Sequence, residues 1–256
     1  MSVQLIDSHC HLDDDRYDQD RDDVMQRATS AGVQGLIIPA TTTSRWPKIK
    51  QLAQHYPGVY ASYGLHPMFM QDHQPDDLAE LDHWLDSEPA VAVGECGLDF
   101  FHGNNDQQPQ LELFRGQLSL ALNHRLPVII HARKALDLIL REIRSSGINQ
   151  GVIHSFSGSL QQAQQLIDLG FHISIAATIS FERAKKLRDI TRQLDIDALL
   201  IETDAPDQAG AAHRGHRNEP AYIVEHLTTM AELRQMSPDA LAARLNHNCK
   251  QLFGLG

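Results

Sequence analysis

Short apolar runs alternate with longer stretches of helical periodicity along the whole chain. The short runs are rich in Val, Ile and Leu and are apolar throughout, which is typical of parallel strands covered on both faces. Eight strands are predicted, at Leu5–Asp7, Gly35–Pro39, Val59–Tyr63, Val91–Gly94, Val128–His131, Gly151–His154, Phe171–Ile175 and Leu199–Glu202.

Helical patterns lie between these runs and after the last one. They are predicted at Asp22–Ala31, Trp46–His55, Leu78–Leu85, Leu111–Asn123, Leu136–Ser145, Leu160–Leu169, Arg183–Leu194, Ala221–Arg234 and Pro238–Phe253. Ser237 and Pro238 suit the N-cap and first position of the last helix. Eight β/α units in 256 residues predict a single α/β domain over residues 1–256, a (β/α)8 TIM-type barrel. A doubly wound open sheet would look similar locally, but no Gly-x-Gly-x-x-Gly follows the first strand.

Composition adds limits on location and partners. Hydrophobic residues make up 42%, without an apolar run long enough to span a bilayer or a basic-then-apolar N-terminus typical of a secretory signal. The cysteines Cys10, Cys96 and Cys249 are scattered, which suits reduced thiols and a cytoplasmic location. The net charge of −11 argues against broad duplex binding, although it also suits simple solubility. A narrow cleft in which metal ions supply positive charge remains compatible with it.

Residues that commonly bind metals stand at the ends of the predicted strands. His9 and His11 follow the first strand and should point to the same side. With 15 His in the chain, about one such pair is expected by chance. A lone buried His is also more often a hydrogen-bonded core residue than a ligand. However, further apolar runs end on Glu95, His131, His154 and Asp204. Unpaired buried carboxylates are costly, so the joint pattern favours a metal site at the mouth of the barrel.

These six donors exceed the needs of one four-coordinate ion. Two divalent ions that share a carboxylate would use them all, and Glu95 is the best candidate for the shared ligand. Paired ions can activate a water and stabilise the leaving oxygen of a phosphodiester. Zinc, manganese, nickel and magnesium all remain compatible with imidazole and carboxylate ligands.

Four further residues are candidates for substrate binding. His66 is either a loop histidine bonded to the backbone or a contact for substrate beside the metals. Arg133 could clamp a phosphate or pair with a neighbouring helix. Arg214 and Arg217 lie in a basic loop after the eighth strand, where barrels often bind phosphate, but this loop could also be simply solvated.

The motifs resemble those of the TatD family of metal-dependent deoxyribonucleases, within the amidohydrolase superfamily. The matching segments occur in family order and are Asp7–Asp13, Gly64–Pro67, Gly94–Asp99, His131–Arg133, His154–Gly158, Glu202–Pro206 and Arg217–Pro220. The resemblance implies one metal on His9, His11, Glu95 and Asp204, and a second on Glu95, His131 and His154. It also implies that Asp204 helps to activate the attacking water. Cys96 departs from the family pattern and is expected to face away from Glu95.

A metal-dependent hydrolase of phosphodiester bonds is therefore the first hypothesis, with DNA ends or single strands as substrate. The alternatives are a hydrolase of ester or amide bonds, including aminoacyl esters, and a scaffold protein that bound metal stabilises and that has no catalytic activity. Neither a membrane nor an obligate protein partner is predicted. The sequence leaves DNA against RNA, exonuclease against endonuclease, and the oligomeric state open.

Overall fold

The computed structural model describes residues 4–101 and 107–256. Within these residues, eight parallel strands form one sheet in chain order. They are β1 (Leu5–Asp7), β2 (Val33–Pro39), β3 (Val59–Tyr63), β4 (Ala92–Asp99), β5 (Val128–Arg133), β6 (Gly151–Ile153), β7 (Phe171–Ile175) and β8 (Leu199–Ile201).

Helices follow the strands and cover the outer face of the sheet. They are α1 (Arg21–Ala31), α2 (Trp46–His55), α3 (Asp77–Ser87), α4 (Gln107–His124), α5 (Leu136–Ser146), α6 (Leu160–Asp168), α7 (Lys185–Gln193), α8 (Ile223–Arg234) and α9 (Pro238–Phe253). As predicted, the Ser237 side chain caps α9 by accepting a hydrogen bond from the Ala240 N–H group. In the described part of the chain, none of the helices has the length and hydropathy needed to cross a membrane.

The sheet curves into a nearly closed barrel. At the seam, the Ser8 N–H group donates to the Ile201 carbonyl at 3.1 Å, and the Asp204 N–H group donates to the His9 carbonyl at 2.9 Å. The (β/α)8 fold predicted from the alternating pattern is confirmed, and it brings the carboxyl ends of all eight strands to one mouth.

The central strand β4 extends beyond its predicted end at Gly94, so that Glu95 lies inside the strand. The pairing of β4 with β5 is irregular between Val93 and Cys96, and then continues to Asp99. This part of the sheet is packed too closely for side chains at two positions. A Cβ atom on Gly94 would lie 2.7 Å from the Ile129 carbonyl oxygen, and one on Gly64 would lie 2.6 Å from the Gly94 Cα atom. The close approach brings the end of β3 beside Glu95.

The opposite end of the barrel is closed by α9. The Asn246 side chain bonds to the Ile6 N–H group and the Gln4 carbonyl, and therefore holds the helix against the start of β1. An apolar cluster fills this end of the interior, and it consists of Ile6, Ile37, Ala92, Ile129, Val152 and Leu200 from the strands with Cys249, Leu252 and Phe253 from α9.

Candidate metal centre

Glu95 lies at the centre of the mouth, and its two carboxylate oxygens face two different groups of side chains. The first donor group comprises His9, His11 and Asp204, beside Oε2. The second donor group comprises His131 and His154, beside Oε1. The fold thus brings together all six residues that the strand ends singled out.

The first donor group is compact. The Glu95 Oε2 atom lies 3.3 Å from His9 Nε2 and 3.5 Å from His11 Nε2. The Asp204 Oδ1 atom lies 3.5 Å from His9 Nε2 and 3.7 Å from His11 Nε2. These separations resemble the edge of a tetrahedron around a divalent ion, which is about 3.4 Å for metal–ligand bonds of about 2.1 Å. Glu95 Oε2 is also buried and receives no hydrogen bond from the described residues. This group therefore fits a bound cation.

The second donor group has its ring orientations fixed from outside. His131 Nδ1 and His154 Nε2 lie 3.1 Å and 2.9 Å from Glu95 Oε1. The far nitrogen of His131 is 2.9 Å from Asp99 Oδ2, and that of His154 faces Glu202 Oε1 at 3.5 Å. Asp99 accepts the proton of the far nitrogen of His131, and the Glu202 carboxylate lies beside the far nitrogen of His154. The inner nitrogens are therefore the ones placed to bind a metal.

His66 has the opposite tautomer, although its Nε2 atom is only 2.9 Å from Glu95 Oε1. Its Nδ1 atom accepts a hydrogen bond from the Met68 N–H group at 3.0 Å, so the ring proton is on Nε2. Burial lowers the pKa of His66 to about 4, which keeps the ring neutral. His66 is therefore a hydrogen-bond donor toward Glu95, and not an electron-pair donor in this arrangement.

The charges at the mouth are mutually compensated. Burial raises the pKa of Glu95, but the neighbouring imidazoles of His66, His154 and His9 outweigh burial and hold it well below its usual range. Burial likewise lowers the pKa of His11, but Glu95 and Asp204 outweigh it and raise the value to about 9. In the absence of metal, the buried carboxylates are thus paired with protonated imidazoles. A bound cation would take the place of the protons in these pairs.

Sequence reasoning missed Gln208, which holds the second oxygen of Asp204. The Gln208 side-chain amide donates to Asp204 Oδ2 and lies 2.8 Å from the Ser155 hydroxyl. This leaves Asp204 Oδ1 turned toward the imidazoles of the first donor group. Nothing in the periodicity indicates this contact, because Gln208 lies in a loop after β8.

A cavity of about 1100 Å³ opens above the donors. Arg133, Arg183 and Lys185 are among its lining residues. The Arg133 guanidinium lies 3.6 Å from the centre of the Phe101 ring, and Arg183 lies 5.2 Å from that of Phe181. Arg183 and Lys185 were not among the predicted site residues. A cluster of cations just after the seventh strand of an acidic chain is the signal that could have found them.

Arg214 and Arg217 do not line this cavity. Arg217 pairs instead with Asp20 at 2.6 Å and with Glu219 at 3.0 Å. Arg214, in the same loop, is exposed to solvent. Of the three arginines predicted to bind phosphate, the structure places only Arg133 at the cavity.

The two cysteines next to the donors point away from them. Cys10 and Cys96 are buried in the apolar core, and the Cys96 thiol lies 3.5 Å from the Ile129 carbonyl. Burial raises the pKa of both thiols. The expectation that Cys96 packs away from Glu95 agrees with this geometry.

Comparisons with known proteins agree with the barrel fold and indicate a family. A family model described as "TatD related DNase" matches residues 6–254. The chain is 38% identical to the uncharacterized metal-dependent hydrolase YjjV of Escherichia coli K12, over 100% of both chains. It is 33% identical to the "3'-5' ssDNA/RNA exonuclease TatD" of Klebsiella pneumoniae, over 98% of each.

The solved structures give the same result. The crystal structure of YjjV, described as a TatD homologue from E. coli K12, superposes with a TM-score of 0.96 at 37% identity, over 100% of both chains. A TatD-family hydrolase from Entamoeba histolytica has a TM-score of 0.83 at 23% identity, over 100% of both chains, which supports the fold. With the family model covering almost the whole chain, this protein belongs to the TatD family of metal-dependent hydrolases.

Proposed function

We propose that this hydrolase holds two divalent ions and cleaves phosphodiester bonds at the ends of nucleic acids or within single strands. The observation that carries the proposal is the division of the donors between the two oxygens of Glu95. The name of the Klebsiella relative, an exonuclease on single-stranded DNA and RNA, supports the substrate class.

In this proposal each residue of the mouth has a defined task. His9, His11, Glu95 and Asp204 hold one ion, and Glu95, His131 and His154 hold the other. When bound, such a pair of ions lowers the pKa of a water and stabilises the charge of the leaving oxygen. Asp204 accepts the proton of the attacking water, in an orientation that Gln208 maintains. His66 donates its Nε2 proton to Glu95 or to a phosphate oxygen that comes within reach.

The charges around the cavity suit a phosphate-bearing substrate. The chain as a whole is acidic, so a polyanion is repelled by most of its surface. Arg133, Arg183 and Lys185 offer cations in the lining of the cavity, where they can contact phosphates near the metals. A neutral ester or amide would gain little from these cations. This difference favours phosphodiesters over the carbonyl substrates considered from the sequence.

The experiment is a substrate panel with the purified chain, stripped of metal and reloaded separately with zinc, manganese, nickel or magnesium. Single-stranded DNA and RNA labelled at either end, a duplex, a neutral ester and an aminoacyl ester are compared. We expect metal-dependent cleavage of the single strands, which Glu95→Gln abolishes. Glu142→Gln changes a carboxylate on α5 that pairs with Arg115 outside the mouth, and should retain activity. Cleavage of an ester but of no nucleic acid, under every metal, would overturn the proposal.

A further inference from the structure

A second cavity of about 540 Å³ lies beside the first, against the start of α5. Its volume is within the range of small-molecule sites, about 300–1,000 Å³. The two cavities share part of their walls, namely Ala132, Phe156, Ser157, Gly158 and Lys186. We call this second cavity the side groove. Because the walls are shared, a chain molecule bound at the metals can continue directly into the side groove.

Two lysines give the side groove its charge. Lys186 lines both cavities, and its Nζ atom reaches across their junction to the Ser157 carbonyl at 3.4 Å. Lys134 lines the side groove but not the first cavity, and its Nζ atom lies 4.9 Å from the centre of the Phe101 ring. Neither ammonium group forms an ion pair with another described residue. By contrast, Lys48 pairs with Asp15 and Asp18.

Among the described residues that line the side groove, one carries a carboxylate, namely Asp137. Its Oδ1 atom accepts a hydrogen bond from the Gln162 side chain at 2.6 Å. Within residues 4–101 and 107–256, two lysines without an ion pair against one carboxylate give the side groove an excess of positive charge. This is the reverse of the chain as a whole, whose net charge is −11. Such a local reversal attracts a polyanion to one path across an otherwise repelling surface.

We propose that the side groove binds the sugar–phosphate backbone next to the nucleotide held at the metals, with Lys186 and Lys134 contacting successive phosphates. This inference rests on the proposed function and extends it to a second subsite. It predicts that strands with several phosphates bind more tightly than a substrate with one. Because the contacts are to phosphate, DNA and RNA should use the side groove alike.

The test measures binding of fluorescent strands to the metal-loaded protein at several salt concentrations. The probes are single-stranded decamers of DNA and RNA with phosphorothioate linkages, and a dinucleotide with one linkage. Lys186→Ala and Lys134→Ala are compared with Lys250→Ala, which removes the same charge from an exposed position on α9. Each groove variant should raise the decamer Kd about threefold at low salt. It should also make the slope of log K against log salt shallower by about 0.7.

The control variant and the dinucleotide separate binding in the side groove from a general effect of lost charge. Lys250→Ala should match the wild type, and in the groove variants the dinucleotide should lose less affinity than the decamers. Three results would contradict the proposed binding of the backbone in the side groove. These are equal losses of affinity for dinucleotide and decamer, wild-type binding in both groove variants, and a loss of affinity for DNA without one for RNA. If the wild type binds decamers through these lysines but hydrolyses no phosphodiester under any metal, the proposed function fails while the side groove stands.

Discussion

The two ends of the barrel interior are formed by the same strands but are filled with opposite kinds of side chain. On β5, Ile129 belongs to the apolar cluster at the closed end, and His131, two residues later, belongs to the second donor group. Val152 and His154 have the same relation around β6. Side chains two residues apart point to the same face of a strand. An advance of two residues along β5 or β6 therefore changes the side chains of the interior from aliphatic to ionisable.

This difference separates stability from chemistry. The closed end buries aliphatic groups, each of which favours folding by roughly 1.5–3 kcal/mol. The mouth buries titratable groups, which disfavour folding unless they are paired or bind a metal. Substitutions at the closed end should therefore affect the free energy of unfolding, and substitutions at the mouth should affect turnover and pH dependence.

Apart from the shared ligand Glu95, the largest effect is expected at Asp204. Asp204→Asn keeps an oxygen that can coordinate a metal but cannot accept the proton of the water, so kcat should fall by about 10²–10⁴-fold. The fold and at least one ion should be retained, as checked by urea unfolding and metal analysis. Asp207→Asn is the matched control, because Asp207 pairs with Arg16 and lies three residues later. Near wild-type turnover in Asp204→Asn would remove this residue from the mechanism.

Asp7 should make the stability of the metal-free protein depend on pH. Its carboxylate is buried and accepts hydrogen bonds from the Thr203 hydroxyl at 2.6 Å and N–H group at 3.0 Å. Burial raises its pKa from 3.8 to about 7. Between these values the unfolded chain loses the proton first, so this residue's contribution to stability falls as the pH rises. The loss amounts to roughly 4 kcal/mol, from about 1.4 kcal/mol per pKa unit.

The measurement is the difference in unfolding free energy between Asp7→Asn and the wild type, both without metal, from pH 4 to pH 8. The difference should move in favour of the variant as the pH rises. The contributions of the other titrating groups are common to both proteins and therefore cancel in the difference. A difference that stays constant over this interval would show that Asp7 is ionised throughout.

A substitution of Leu200 at the closed end should affect stability and not turnover, in contrast to substitutions at the mouth. Leu200→Ala should lower the unfolding free energy by about 2–5 kcal/mol, because a fully buried side chain is lost from the apolar cluster. This loss should be the same at pH 5 and pH 8, and kcat of the folded enzyme should not change. A large decrease in kcat would mean that the two ends are coupled and that the separation is wrong.

The smallest expected effect concerns Gln208. Gln208→Ala should lower kcat about tenfold with little change in KM, because a hydrogen bond to a charged group is lost. Gln208→Glu should be worse, since a second carboxylate would face Asp204. Both variants should keep their metal content. Equal kcat values for all three proteins would show that Gln208 does not position Asp204.

The sequence predicts the fold, and the position of the six candidate ligands at the mouth, for one physical reason. Strand periodicity fixes the direction of every side chain on a strand, so His131 and His154 could be placed from the aliphatic residues before them. The chain order of a (β/α)8 barrel then brings the strand ends together without further information. Even so, the bounds of β4 were wrong, because its irregular pairing beyond Val93 leaves no mark in the hydrophobic pattern.

Loop side chains could not be placed in this way. Arg217 turns to Asp20, and Gln208 turns to Asp204, through contacts that no periodicity specifies. The tautomer of His66 depends on one backbone N–H group in the turn after it. Predicting which loop cations reach the cavity therefore required the three-dimensional positions of their partners.

The central claim is that Glu95 joins two metal sites, and a count of bound ions tests it most directly. Metal-free protein is reloaded with zinc or manganese, freed of excess ion and analysed for metal and protein. We expect two ions per chain in the wild type and in Cys96→Ala, whose thiol faces away from the donors. Glu95→Ala should lose both sites together. A fully active wild type with one ion, or a Glu95→Ala variant that loses only one of two, would contradict the shared site.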